Sequence, residues 1–135
     1  MSQLYRLTTV ERERTIHQIE AALATRLGVV FALVFGSFVD QEAFRDIDLA
    51  IWTVAAADPG EDVAVAVELS ETLGMPVDVR RINAAPVPFL FHALRGRPVL
   101  VRDEQLLADL MERTAREYHD LAPLLRRATR EAFAG

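Results

Sequence analysis

At 135 residues, 51% hydrophobic and 26% charged, the chain has the balance of a folded domain with a sizeable core, not of a disordered or fibrous segment. Its 20 acidic and 15 basic residues leave a net charge of −5, which argues against nucleic acid as the main partner, because phosphate-gripping surfaces are basic. Cysteine is absent, which excludes disulfides and thiolate metal sites, and the longest apolar run, VVFALVF at 29–35, is too short to span a bilayer.

The N-terminal MSQLYRLTTVERER lacks the apolar stretch of a secretion signal, so a cytoplasmic location is expected. Thr8-Thr9-Val10-Glu11 has the form of a capping box and predicts a helix starting near Thr9. Ile16, Ile19, Leu23 and Leu27 recur at helical spacing, with Gly28 as the stop. VVFALVF, continuous and rich in β-branched and aromatic residues, predicts a buried strand. Gly36-Ser37 breaks it and opens a tight turn containing at most one helical turn. DIDLAIW at 46–52 alternates strictly, placing Asp46, Asp48 and Ala50 on one face and Ile47, Leu49 and Ile51 on the other.

Asp58-Pro59-Gly60 marks a turn. EDVAVAVELSETLG then predicts a helix ending at Gly74, although its valines also allow a strand. PVDVRRI at 76–82 is a third strand, with Asp78 sharing a face with Pro76 and Arg80. Pro86 and Pro88 open a short helix through Arg95, and RPVLVRD gives a fourth strand. From about Asp103 to Phe133 the pattern is helical, with Pro123 expected to kink or divide it. The expectation is an α/β (α+β) fold: one domain over 1–135, a mixed sheet of about four strands covered by helices, and a helical tail over about 103–133.

Two carboxylates on an otherwise apolar strand need a reason, since a buried charge is costly unless it is paired, hydrogen-bonded or bound to a metal. Residues two apart on a strand share a face at roughly 6.5–7 Å, so Asp46 and Asp48 can converge on a divalent cation. Asp78 would join them if its strand lies alongside, either as a further ligand or as the proton acceptor for an attacking hydroxyl. Gly36 allows close backbone approach to a ligand, and the turn at Ser37 offers N–H and hydroxyl donors to an anion. A cation site facing a phosphate cradle describes a nucleoside triphosphate site. The bland alternatives are a solvated strand edge for Asp46 and Asp48, a plain turn for Gly36-Ser37, and a surface ion pair of Asp78 with Arg80 or Arg81.

Gly36-Ser37, eight intervening residues, Asp46-Ile47-Asp48-Leu49 and a later strand carrying Asp78 together resemble the DNA polymerase beta-type nucleotidyltransferase superfamily. Within it, the short chain is similar, from about Val29 to Asp103, to the minimal nucleotidyltransferase (MNT) antitoxins that accompany HEPN-type toxins. The resemblance implies that Asp46, Asp48 and Asp78 are the catalytic acids and hold Mg²⁺, and that Gly36 and Ser37, with Arg45 nearby, bind the nucleotide. It implies ATP as substrate and AMP transfer to a hydroxyl, a tyrosine of the partner toxin in the antitoxin group. The chain departs from the family pattern in having Asp40 and Gln41 after the Gly-Ser turn, Arg45 before the first aspartate, and a shorter intervening segment. Those departures motivate an alternative, a catalytically impaired nucleotidyltransferase fold that neutralises its partner by binding alone. Transfer to a small molecule such as an aminoglycoside is a third reading, although such enzymes usually carry a second domain. His17, His92, Phe89, Phe91 and Leu94 are expected to be structural. Arg113 and His119 match the spacing of a HEPN ribonuclease motif, without the all-helical domain around it. The leucines from Leu106 to Leu125 exceed what one covering face needs, which suggests a partner-binding stripe or a buried hinge at Pro123.

Overall fold

The computed structural model describes residues 3–133. In chain order the elements are β1 (Tyr5–Arg6), α1 (Thr9–Ala24), β2 (Val29–Phe35), α2 (Ser37–Asp40), β3 (Ala43–Phe44), β4 (Ile47–Thr53), α3 (Glu61–Leu73), β5 (Val77–Arg81), α4 (Val87–Leu94), β6 (Arg97–Val101) and α5 (Glu104–Phe133). Four strands form one mixed sheet in the order β5-β4-β2-β6, and β1 pairs β3 in a separate two-stranded ladder. Within the main sheet β2 runs antiparallel to both β4 and β6, while β4 and β5 are parallel.

The central strands are apolar on both faces because both faces are covered. Val34, Ile47, Leu49 and Ile51 pack against Ile16, Ile19 and Leu23 of α1 and Val65 and Leu69 of α3. Phe31, Leu33, Phe35 and Ala50 pack on the opposite side against Leu90 and Leu94 of α4 and Leu107 and Leu110 of α5. Each such buried Leu, Ile or Phe contributes about 1.5–3 kcal/mol, so this two-sided core carries most of the fold's stability. The Asp-bearing side of β4 is the one covered by α4 and α5, and Asp48 lies opposite Phe35, the last residue of β2.

The local signals explain the element ends. Thr8 caps α1, its Oγ1 accepting from Glu11 N at 3.1 Å while Glu11 Oε1 accepts from Thr8 N at 2.8 Å. Asp58 Oδ1 accepts from Gly60 N at 2.7 Å, closing the turn before α3. Gly74 ends α3 in the left-handed region, φ 67°. The valines of α3 do not make it a strand, because Val65 and Leu69, four apart, supply the one buried stripe a helix needs.

Three expectations are corrected. Pro123 does not divide the C-terminal segment: α5 is a single 30-residue helix with the proline inside it. Leu27 is not on the apolar stripe of α1, which ends at Ala24, and it stands 81% exposed. The β1–β3 ladder was not anticipated, since two residues per strand are too few to show a period.

Candidate active site

β2 ends at Phe35, and the chain turns sharply at Gly36, whose φ of 75° and ψ of −152° lie in a region that side-chain-bearing residues avoid. The dihedral is what calls for glycine; a Cβ here would also stand 2.6 Å from Asp48 Oδ2, so a side chain would displace that carboxylate. The turn that follows is α2, with Val39 N and Asp40 N both donating to Gly36 O at 3.0 Å and Gln41 N to Ser37 O at 2.9 Å. Phe38 is buried beneath it, edge-on to Phe44 with ring centroids 5.0 Å apart.

Sheet pairing decides which acids meet. Asp48 lies opposite Phe35 on β2 and beside Asp78 on β5, so both carboxylates emerge on the α4 face at the end where the Gly36 bend sits. Asp46 lies at the bend just before β4 and is half-buried, as is Asp48. Burial, then the negative charge of Asp46 and of Asp78, push the Asp48 carboxyl up from 3.8 to about 6; Arg80 and His92 oppose the shift. A half-buried carboxylate crowded by two others is short of positive charge, and carboxylate oxygens are the donors a hard divalent cation prefers. The donor set therefore suits Mg²⁺.

Asp78 turns toward its own strand neighbour: Arg80 Nε lies 3.3 Å from Asp78 Oδ2, the ion pair that the sequence also allowed. As the side chains stand, no three His, Asp or Glu residues among the described residues are gathered closely enough to share one ion. An exposed pair of this kind is worth ~0–1 kcal/mol and is readily exchanged, so it does not bar Asp78 from a cation. Arg45 is exposed at the bend preceding Asp46.

A cleft of about 280 Å³ adjoins the bend, lined by Phe35, Gly36, Val39, Asp40, His92, Arg95 and Gly96. Arg95 brings a positive charge to it, Asp40 a negative one, and His92 an imidazole. His92 is exposed at the cleft and meets Phe35 edge-on at 5.5 Å, a packing contact of the kind a structural role implies. Arg95 lies 5.5 Å over the Phe91 ring, itself stacked on Tyr118. Sequence reasoning left Arg95 out of the site and gave His92 a structural role, yet their i, i+3 spacing at the end of a Pro-initiated helix was a usable sign that they share a face. His17 is exposed on α1, and Arg113 and His119 are exposed on α5, where Arg113 pairs with Glu117 at 3.7 Å.

Comparison with known proteins agrees with this geometry. The family described as "Polymerase beta, Nucleotidyltransferase" matches residues 17–105. No curated protein sequence matches the chain. Among solved structures, a mutant of the MntA-HpeT toxin–antitoxin pair is similar with a TM-score of 0.69 and 19% identity over 88% of this chain and 94% of that one. A tri-AMPylated Shewanella oneidensis HEPN toxin in complex with MNT antitoxin gives a TM-score of 0.67 and 18% identity over 91% and 95%. A toxin–antitoxin structure with AMP-PNP gives 0.65 and 20% over 90% and 94%. At such identities the structural likeness establishes a shared fold, and the family match extends it to the segment holding the Gly36 bend and all three aspartates. The chain belongs to the polymerase beta nucleotidyltransferase family.

Proposed function

We propose that the chain is a Mg²⁺-dependent nucleotidyltransferase that moves AMP from ATP to a hydroxyl, a tyrosine in the first instance, of a HEPN-type toxin, and so acts as its antitoxin. The observation that carries this reading is Asp48: a half-buried carboxylate, raised to about 6 by burial and by Asp46 and Asp78, beside a glycine bend that closes to within contact of it. Support for the partner comes from solved structures of similar fold, several of which are toxin–antitoxin structures, one with an AMPylated toxin and another with AMP-PNP.

In this reading Asp46 and Asp48 hold the cation, and Asp78 is the third acid. When bound, Mg²⁺ neutralises charge on the phosphates and favours the transition state electrostatically. Gly36 and Ser37, with Arg45 nearby in sequence, receive the triphosphate, while Arg95 offsets the negative charge that Asp40 brings to the cleft. The acceptor oxygen attacks the α-phosphorus as the bond to pyrophosphate breaks, and the hydroxyl proton passes to Asp78 once Arg80 has been displaced from it. Positioning and charge neutralisation supply most of the rate. All this chemistry lies within one domain, and the acceptor comes from the partner.

One observation favours a second reading. Asp40 lines the cleft and Asp78 is engaged by Arg80, which together suit a fold that neutralises its toxin by binding without transfer. Incubation with labelled ATP, Mg²⁺ and the toxin encoded beside it separates the two. The enzyme reading expects label on the toxin, abolished by Asp46→Asn or Asp48→Asn. Full neutralisation with no label on the toxin would establish the binding role instead.

A further inference from the structure

We propose that Arg12 of α1 is a positioning residue for the nucleotide turn, fixing the segment between the Gly36 bend and the aspartates; this rests on the nucleotidyl-transfer reading above. Phe38 and Phe44 anchor that segment in the core, but its backbone has little regular structure of its own. α2 spans four residues and β3 two, far below the length at which either is stable alone. Yet the distance from Gly36 to Asp48 must be kept to within a fraction of an ångström for the site to work.

Arg12 answers the carbonyls that the end of α2 leaves over. Its guanidinium donates to Phe38 O, to Gln41 O at 2.9 Å and to Glu42 O at 2.7 Å, while its Nε donates to Leu7 O at 3.3 Å. The same planar group lies 5.3 Å from the ring centroids of both Phe38 and Phe44. Three carbonyls of one turn, a fourth from the approach to α1 and two aromatic faces thus converge on a single half-buried side chain. Only arginine has the planar fork to serve them together: a lysine offers a point charge with three donors and no flat face to stack. With the fork removed, the α2 carbonyls turn to water, the turn loosens, and the bend drifts relative to Asp48. The sheet, whose core does not involve Arg12, stays intact.

The test is Arg12→Lys, with Arg12→Gln as the second variant, and Arg97→Gln as control because it breaks the ion pair between Arg97 of β6 and Glu13 of α1 without touching the carbonyls that Arg12 holds. Affinity for Mg²⁺ with AMP-PNP is measured by calorimetry, and amide exchange by mass spectrometry. The expected result for the lysine variant is about tenfold weaker nucleotide binding and faster exchange over 37–42, with β2 and β4 still protected. In transfer assays KM for ATP rises while KM for the protein acceptor holds, a split that general destabilisation does not produce. Wild-type affinity and exchange in Arg12→Lys, the same changes in Arg97→Gln, or global unfolding of both Arg12 variants would each overturn the proposal. Failure of the wild-type protein itself to bind AMP-PNP would instead remove the nucleotide reading and, with it, this one.

Discussion

Asp48 is where one side chain's titration becomes a property of the whole protein. Its folded carboxyl titrates at about 6 against an ordinary 3.8. Between those values the folded state holds a proton that the unfolded chain has released, so stability falls as pH rises through the window and the deficit is complete above about 6. Asp48→Asn removes the strained charge. Without metal, at pH 7, the variant is expected to be more stable than wild type by about 1 kcal/mol, a figure discounted because solvent screens a half-exposed carboxyl. The gain should vanish below about pH 4, where the wild-type carboxyl is protonated in both states, and urea titrations at the two pH values in chelator check it. Transfer should move the opposite way, falling about a hundredfold or more in the variant. A carboxylate whose removal stabilises the fold yet abolishes activity is held there for its chemistry. A neutral effect on stability at pH 7 would remove that argument.

At the scale of elements, the sequence was most readable where a side chain dictates backbone behaviour. Thr8 and Glu11 marked the start of α1, Gly74 the end of α3, and the alternation of 46–52 placed its side chains on the correct faces of β4. What stayed hidden was pairing. That Asp48 and Asp78 stand side by side depends on β4 and β5 being parallel neighbours in register, which no local pattern encodes. Arg12 was hidden for the same reason, three of its four carbonyl partners lying 26 to 30 residues away. Pro123 misled in the other direction. A proline inside a helix removes one hydrogen bond and costs ~3 kcal/mol, but the carbonyl that Pro123 frees belongs to His119, which is exposed and can be hydrated, and beyond Ala122 every described residue of α5 is exposed as well. Pro123→Ala should therefore raise helicity measurably by far-UV circular dichroism while moving the unfolding midpoint of the sheet domain by only a degree or two, roughly the effect of less than 1 kcal/mol. A large rise in the midpoint would mean that the end of α5 is coupled to the core after all.

For the molecule as a whole, the open question is whether the cleft is occupied by nucleotide in the working protein, and ligand linkage answers it without knowledge of the acceptor. A ligand at about 100 times its Kd stabilises the folded state by ~2.7 kcal/mol, on the order of 10 °C in unfolding midpoint for a chain of this size. ATP with Mg²⁺ should produce such a shift in the wild-type protein, ATP with chelator much less, and neither should act on Asp48→Asn. The variant must be judged by its ligand-induced increment and not by its midpoint, because the substitution itself raises the midpoint for the reason given above. Opposite signs in the two measurements, higher stability alone and no response to nucleotide, would tie the cost of crowding Asp46, Asp48 and Asp78 together to the cation they are proposed to bind. A wild-type protein that ignores Mg²⁺ and ATP yet still neutralises the toxin would put the whole effect on the partner surface, and Asp40 in the cleft would then mark a site that no longer admits a triphosphate.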